Sequence, residues 1–155
     1  MAVRASEVAV PPELLWLGVV AVAPGWVAAG SDSGAVVIDR DGRMRGIRAH
    51  RGGVRSLAAR ADGGRLASGG VDGRIRVWDP QLALLDDQGG PAPILRLGWL
   101  GEVAVAGDGG GGVWIGAVRH PGHRGPVTGW AVDGDALWTG GADGVVRRWT
   151  AAGPD

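Results

Sequence analysis

The chain has 155 residues, which is enough for one domain with a substantial core and too short to expect two. Its hydrophobic fraction of 45% excludes a mainly disordered protein, and the absence of cysteine excludes disulfides and thiolate metal sites. The 16 basic residues, all arginine, balance 16 acidic residues, so the whole molecule offers no electrostatic case for binding nucleic acid or an anionic membrane.

The N-terminal part of the chain contains two apolar stretches. Residues 1–10 alternate in polarity before a Pro-Pro pair and are predicted to form a strand. The uncharged run from Leu14 to Gly30 is short for a membrane span and is interrupted by Pro24-Gly25. We interpret this run as two buried strands around a turn, in preference to a signal or an anchor, and expect a cytoplasmic protein.

A hairpin pattern then occurs four times along the chain. Its clearest copy, residues 66–79, has a short strand, an Asp72-Gly73 turn and a second strand in which Ile75 and Val77 alternate with arginine. Asp-Gly suits a tight hairpin turn because glycine adopts positive φ there. The glycine before the second strand recurs at intervals of 39, 38 and 33 residues, which indicates a repeat architecture: Gly34, Gly73, Gly111 and Gly144.

Each hairpin is preceded by another predicted strand, and three of the four have room for a fourth strand after them. These outer strands are predicted at 43–48, 81–85 and 117–119. Because only six residues, 150–155, follow Trp149, the last repeat is predicted to lack an outer strand of its own. We expect residues 1–10 to supply it, in the same chain or in a partner chain, since this would remove two exposed sheet edges.

Two of the repeats carry motifs that resemble the WD-repeat β-propeller family. The pattern Ala49-His50, Ser68, Asp72, Trp78-Asp79 returns as Gly122-His123, Thr139, Asp143, Trp149. The first and third repeats are degenerate, with no histidine and with Asp39 and Gly116 in place of the tryptophan.

The resemblance implies an all-β fold of four blades, each with four antiparallel strands, arranged radially. The blades are predicted at residues 14–48, 54–85, 93–119 and 126–150 of a single domain, 1–155, with strand 1–10 completing the last blade or that of a partner. The sequence is compatible with three ways of completing the ring: a four-bladed ring, an eight-bladed ring of two chains that exchange strands, and a half-propeller completed by another subunit. We favour assembly, because WD-type blades would have to splay in a four-membered ring.

The resemblance also implies two buried hydrogen-bond networks with a structural role. One set is His50, Ser68, Asp72 and Trp78, and the other is His123, Thr139, Asp143 and Trp149. The first set also contains the residue types of a Ser-His-Asp triad, so a hydrolase is an alternative. A network accounts for the tryptophan, for the exchange of serine by threonine and for the presence of two sets, none of which catalysis requires. We therefore expect no enzyme activity and no catalytic residue.

Two other motifs suggest ligands, and we interpret both as structural. His120 and His123 have no nearby acidic residue or cysteine to complete the three or four ligands that a metal site needs. The glycine-rich run 107–112 lacks the lysine of a phosphate-binding loop and precedes a predicted strand where a dinucleotide site needs a helix. We predict neither a metal nor a cofactor.

Arginines are concentrated between residues 40 and 60. This span contains seven arginines and one acidic residue, Asp41. A solvated outer strand with its loops is the favoured interpretation. Arg43, Arg45 and Arg48 are candidate contacts for a partner, as are Arg51 and Arg124, which follow His50 and His123 in equivalent loops.

The family resemblance implies a non-enzymatic scaffold that binds a protein or peptide partner. We expect a homodimer or completion by another propeller subunit, and no membrane association. The alternative is a module that binds nucleic acid or another polyanion through the cluster from Arg40 to Arg60, although nucleic acid is not the favoured partner.

Overall fold

The structure is a computed structural model that describes residues 17–154. In this range the chain forms 16 β-strands and no helix, and hence no helix that could cross a membrane. The strands form four antiparallel sheets of four strands each, and every sheet follows the order of the chain. This architecture confirms the predicted all-β fold of four four-stranded blades. The predicted strand 1–10 lies outside the described residues.

The first two sheets contain the strands that precede and follow the arginine-rich region. The first sheet consists of β1 (Leu17–Ala23), β2 (Trp26–Ser31), β3 (Ala35–Arg40) and β4 (Arg43–Arg48). The second sheet consists of β5 (Val54–Ala59), β6 (Leu66–Gly70), β7 (Arg74–Trp78) and β8 (Leu84–Gly89).

The last two sheets repeat this arrangement. The third sheet consists of β9 (Ile94–Leu100), β10 (Val103–Asp108), β11 (Gly112–Ile115) and β12 (Val118–Pro121). The fourth sheet consists of β13 (Val127–Asp133), β14 (Ala136–Gly141), β15 (Val146–Thr150) and β16 (Gly153–Pro154).

Two outer strands differ from the sequence-based expectation. The outer strand of the second sheet was predicted at 81–85 but begins at Leu84, because Asp79 accepts hydrogen bonds from the backbone N–H groups of Gln81 and Ala83 and holds a turn there. The fourth sheet, predicted to lack an outer strand of its own, has the two-residue strand β16, which pairs with Trp149 and Thr150.

Buried apolar side chains lie between neighbouring sheets. Three clusters join the first sheet to the second, the second to the third and the third to the fourth. The inner strands β1, β5, β9 and β13 adjoin one another in that order. Within residues 17–154, no buried apolar cluster joins the fourth sheet back to the first.

Each of these three junctions contains a knob and a slot at the same repeat position. The slot is a glycine in the second strand of a sheet, and the knob is the first residue of the next sheet's inner strand. A Cβ atom added to Gly30 would lie 2.7 Å from the Cβ atom of Val54, and one added to Gly107 would lie 2.9 Å from that of Val127. Glycine at this position is therefore required by the close approach of the next sheet.

The connections between strands lie at two rims. The upper rim carries the β2–β3 and β4–β5 connections and their equivalents in the later sheets, and the lower rim carries the β1–β2 and β3–β4 connections and their equivalents. The predicted partner contacts are distributed between these two rims.

Candidate functional site: the upper rim

The first predicted set of four side chains comes together at the upper rim of the second sheet. His50 Nδ1 lies 2.9 Å from Asp72 Oδ1, and His50 Nε2 lies 2.8 Å from Ser68 Oγ. The indole N–H of Trp78 donates to Ser68 Oγ at 2.9 Å. The network therefore links the loop after β4 to β6, β7 and the turn between them.

The acceptors in this network fix the direction of its hydrogen bonds. An ionised carboxylate only accepts, so His50 donates its Nδ1–H to Asp72 and its Nε2 accepts from Ser68. The hydroxyl of Ser68 then accepts a hydrogen bond from Trp78 and donates its single O–H to His50. Such a completely paired network holds a loop in one geometry, because breaking any bond leaves a buried polar atom unsatisfied.

Asp72 accepts further hydrogen bonds, and these keep its carboxylate ionised. Its carboxylate also accepts from the backbone N–H groups of Arg51 and Arg74 and from the Arg76 guanidinium. Burial alone would raise the pKa of Asp72, but the hydrogen bonds from Arg51, His50 and Arg74 outweigh it and lower the pKa to about 2. Asp72 is thus a fixed negative charge that anchors the β4–β5 loop.

The network makes the stability of the chain depend on pH. Burial lowers the pKa of His50 below its ordinary value of 6.5, with Asp72 opposing the shift. As the pH falls below 6.5, the unfolded chain therefore binds a proton before the folded chain does. The free energy of unfolding is expected to decrease from pH 7.5 to pH 5.5, with a slope of at most about 1.4 kcal/mol per pH unit for this group.

Urea denaturation of the wild type and of His50→Gln at several pH values measures this effect. The variant is expected to be less stable at pH 7.5 and to show a weaker dependence on pH. An unchanged pH dependence in His50→Gln would contradict the role given to this histidine.

The second predicted set forms the same network in the fourth sheet. His123 Nδ1 lies 2.9 Å from Asp143 Oδ1, His123 Nε2 lies 2.8 Å from Thr139 Oγ1, and the indole N–H of Trp149 donates to Thr139 at 2.8 Å. The hydrogen bond from His123 is the main cause that keeps the pKa of Asp143 below its usual range. Asp143 also accepts from the backbone N–H of Arg124, as Asp72 does from that of Arg51.

Packing against the histidine ring explains the paired glycines before each turn. A Cβ atom on Gly70 would collide with the ring of His50, and one on Gly141 would collide with that of His123. The first glycine of the pair, as in Gly69, instead provides the slot for the next sheet. The two glycines therefore serve different contacts, one within the network and one between the sheets.

The third sheet contains a different network, which was not predicted from the sequence. Asp108 is 1% exposed and accepts from the backbone N–H groups of Gly110 and Gly112, from the Trp114 indole and from the Arg119 guanidinium. Burial would raise the pKa of Asp108, but the hydrogen bonds from Arg119, Gly112 and Trp114 outweigh it and lower the pKa. The glycine-rich run 107–112 thus forms the hairpin turn that folds around a buried carboxylate.

The two histidines considered as a metal pair have separate environments. Both ring nitrogens of His123 are engaged by Asp143 and Thr139, while the His120 ring lies 6.0 Å from the Trp149 ring. Within residues 17–154, no group of three or more potential ligands could hold a metal ion.

The arginines between residues 40 and 60 do not form one surface. Arg43 and Arg45 line a cleft of about 530 Å³ at the lower rim, together with Ile38, Arg40, Asp41, Pro80 and Gln81. Arg60 is also at the lower rim, where it pairs with Asp62 at 2.7 Å. Because β4 runs from one rim to the other, this distribution gives no support to the predicted polyanion site from Arg40 to Arg60.

Arg48 and Arg51 lie at the upper rim, where they line a depression of about 420 Å³ with Arg76 and Asp87. Arg51 is exposed, and so is Arg124 in the equivalent loop of the fourth sheet. Asp72 and Asp143 hold the backbones of these two loops, so both arginines extend from fixed positions. The upper rim therefore presents exposed guanidinium groups on a rigid base.

The radially ordered sheets and the His-Asp networks define a β-propeller with WD-type blades. Residues 42–79 match the family described as "WD domain, G-beta repeat". The chain therefore carries a WD repeat, and its fold is that of the WD-repeat β-propellers. No match was found among curated protein sequences.

Solved structures with this fold include two computationally designed propellers, Ika4 and Ika8, and the WD-repeat protein U3-55K. Ika4 is 22% identical with a TM-score of 0.81, over 95% of this chain and 99% of Ika4. Ika8 is 23% identical with a TM-score of 0.76, over 86% of this chain and 45% of Ika8. U3-55K is 21% identical with a TM-score of 0.77, over 89% of this chain and 47% of its own. The chain thus spans about half the length of the last two.

Proposed function

We propose that this chain is a non-enzymatic scaffold whose upper rim binds an acidic segment of a protein partner. WD-repeat domains generally mediate protein interactions, which supports the class of function. The observation that carries the proposal is the pair of exposed arginines, Arg51 and Arg124, in loops that buried networks hold by their backbones. Arginine suits such a contact because its guanidinium binds carboxylates with two parallel hydrogen bonds.

The rigidity of the two loops favours binding. A loop that is already ordered loses little conformational entropy when a partner docks, so more of the contact energy contributes to affinity. Arg48 lies beside Arg51 in the same depression and adds a third positive group. All three groups lie at the upper rim, and a segment with several carboxylates could contact more than one of them.

The environment of Ser68 supports a non-enzymatic role. Ser68, His50 and Asp72 are hydrogen-bonded in the order of a catalytic triad, but Ser68 is 0% and His50 is 2% exposed. A substrate carbonyl could not reach the hydroxyl without opening the blade, and that hydroxyl already accepts from Trp78. We expect Ser68→Ala to cause a folding defect and no loss of turnover.

Charge reversal tests the proposed binding rim. Proteins co-purified with the wild type are compared by quantitative mass spectrometry with those from the double variant Arg51→Glu/Arg124→Glu. Partners of the wild type are expected to decrease by at least about tenfold, because a charge-assisted hydrogen bond contributes about 1.5–3 kcal/mol. Circular dichroism checks that the variants are folded.

Arg45→Glu is the matched control, because it reverses an exposed arginine at the lower rim. It is expected to retain the partners of the wild type. Loss of the partners in Arg45→Glu with retention in the double variant would place the interface at the lower rim and contradict the proposal.

A further inference from the structure

One repeat position is buried in three sheets and exposed in the fourth. Val36, Ile75 and Val113 lie opposite the slot glycine of their sheets and are at most 1% exposed. Val146 occupies the same position in the fourth sheet and is 68% exposed. On the same face of the fourth sheet, two residues before Gly140, Trp138 is also exposed, by 40%. The face of the fourth sheet that points away from the third sheet therefore carries an uncovered junction surface.

The first sheet has the complementary uncovered surface. At the inner-strand position of Val20, the later sheets have Leu57, Leu97 and Trp130, which pack in the three junction clusters. Val20 itself is 67% exposed, and Val22 on the same face is 72% exposed. The first sheet thus exposes the face that, in the later sheets, packs against the preceding sheet.

Among residues 17–154, no side chain fills the slot of the fourth sheet. Within this range, a Cβ atom added to Gly140 meets the backbone of Gly129 in its own sheet, at 3.6 Å. In the other sheets this slot receives the first residue of the next inner strand, such as Val54. The corresponding strand position of the first sheet is Leu17, which pairs with Ser31 as Val54 pairs with Gly70. The described part of the chain therefore has one unfilled slot, at Gly140, while Leu17 occupies the knob position in the strand pairing of the first sheet.

Opposite charges occupy corresponding strand positions in the fourth and first sheets, and both side chains are half-buried. In the third sheet, Ile115 packs in a buried cluster with Trp149 of the fourth sheet. In the fourth sheet, the residue at the repeat position of Ile115 is Arg148. The position of Trp149 is occupied by Asp39 in the first sheet. Docking of the fourth sheet against a first sheet would therefore place Arg148 near Asp39, an arginine and a carboxylate where the interior junction has two apolar side chains.

We propose that the partner of these surfaces is a second copy of the chain. The fourth sheet of each copy packs against the first sheet of the other, and the two identical junctions close a ring of eight sheets. Two chains related by a two-fold axis satisfy both surfaces at once, which leaves neither open. The superposition of these four sheets on about half of each of two longer chains agrees with the curvature of a larger ring. This proposal does not depend on the function of the upper rim.

Light scattering coupled to size exclusion tests the assembly. The wild type is expected at twice the chain mass over a range of micromolar concentrations. Val146→Arg and Val20→Glu each place a charge in one surface of the junction and are expected to reduce the mass to that of one chain. Both residues are strongly exposed in the single chain, so the variants are expected to fold, which circular dichroism verifies.

Val118→Arg is the matched control, because Val118 is 57% exposed on the outer strand of the third sheet, away from both surfaces. It is expected to retain twice the chain mass. Mixing Val146→Arg with Val20→Glu is expected to restore that mass, since one junction is then unaltered and the other pairs arginine with glutamate. A wild type with the mass of one chain, open polymers, or dimers that persist in both variants would overturn the proposal.

Discussion

Replacing Trp149 with alanine is expected to lower the free energy of unfolding by about 3–5 kcal/mol. The side chain is 2% exposed between the third and fourth sheets, in a cluster with Val113, Val127 and Leu137. Its indole N–H also donates to Thr139, so its removal both opens a cavity and takes one donor from the His123 network. Because domains of this size are stable by about 5–15 kcal/mol, this single change removes a large part of the total.

Urea denaturation at a fixed chain concentration measures the effect of Trp149→Ala. Trp149→Phe keeps most of the apolar contact and removes the N–H, so it is expected to cost less, with about 1 kcal/mol for the lost hydrogen bond. Leu84→Ala removes an exposed side chain and is expected to change stability by about 0.5 kcal/mol or less. Equal effects of Trp149→Ala and Leu84→Ala would show that the third and fourth sheets do not pack through this residue.

Local patterns of the sequence predicted the strands and the repeat, and the resemblance to the WD-repeat family implied the propeller. Alternating apolar residues and the Asp72-Gly73 turn define a hairpin, and its recurrence at spacings of 39, 38 and 33 residues defines the repeat. The residues of the two His-Asp networks could be named because two repeats match the motif of the WD-repeat family, and the resemblance implies such a network. The outer strand β8 was misplaced because its central residues are acidic and polar, and an exposed edge strand has no apolar alternation to mark it.

Other features depend on distances that spacing does not reveal. The network of the third sheet pairs Asp108 with an arginine from the outer strand and contains neither histidine nor serine. For that reason the third repeat resembled a degenerate one. An aspartate directly before the Gly109-Gly110 turn is the sequence signal that could have indicated it. The arginine cluster resembled one surface because its members are close in sequence, whereas β4 carries Arg43 to one rim and Arg48 to the other.

Replacing Gly30 with valine is expected to destabilise the chain by about 3 kcal/mol, at the upper end of the usual cost of over-packing. A Cβ atom at this position would lie 2.7 Å from the Cβ atom of Val54 and 2.9 Å from Cγ2 of Val19, so the second sheet must move away. Gly140→Val makes the same change at the same repeat position, where the added Cβ atom meets backbone at 3.6 Å.

The two glycine variants are best compared in the Val146→Arg background, where each chain is expected to be alone. Thermal or urea unfolding should then show a large loss for Gly30→Val and a change of about 0.5 kcal/mol or less for Gly140→Val. As a single substitution in the wild-type chain, Gly140→Val fills the slot that a second copy would use. It is therefore expected to reduce the molar mass in solution to that of one chain. Similar destabilisation by both variants in single chains would mean that the slot of the fourth sheet is filled from within the chain, because only a resident side chain could oppose the added valine there.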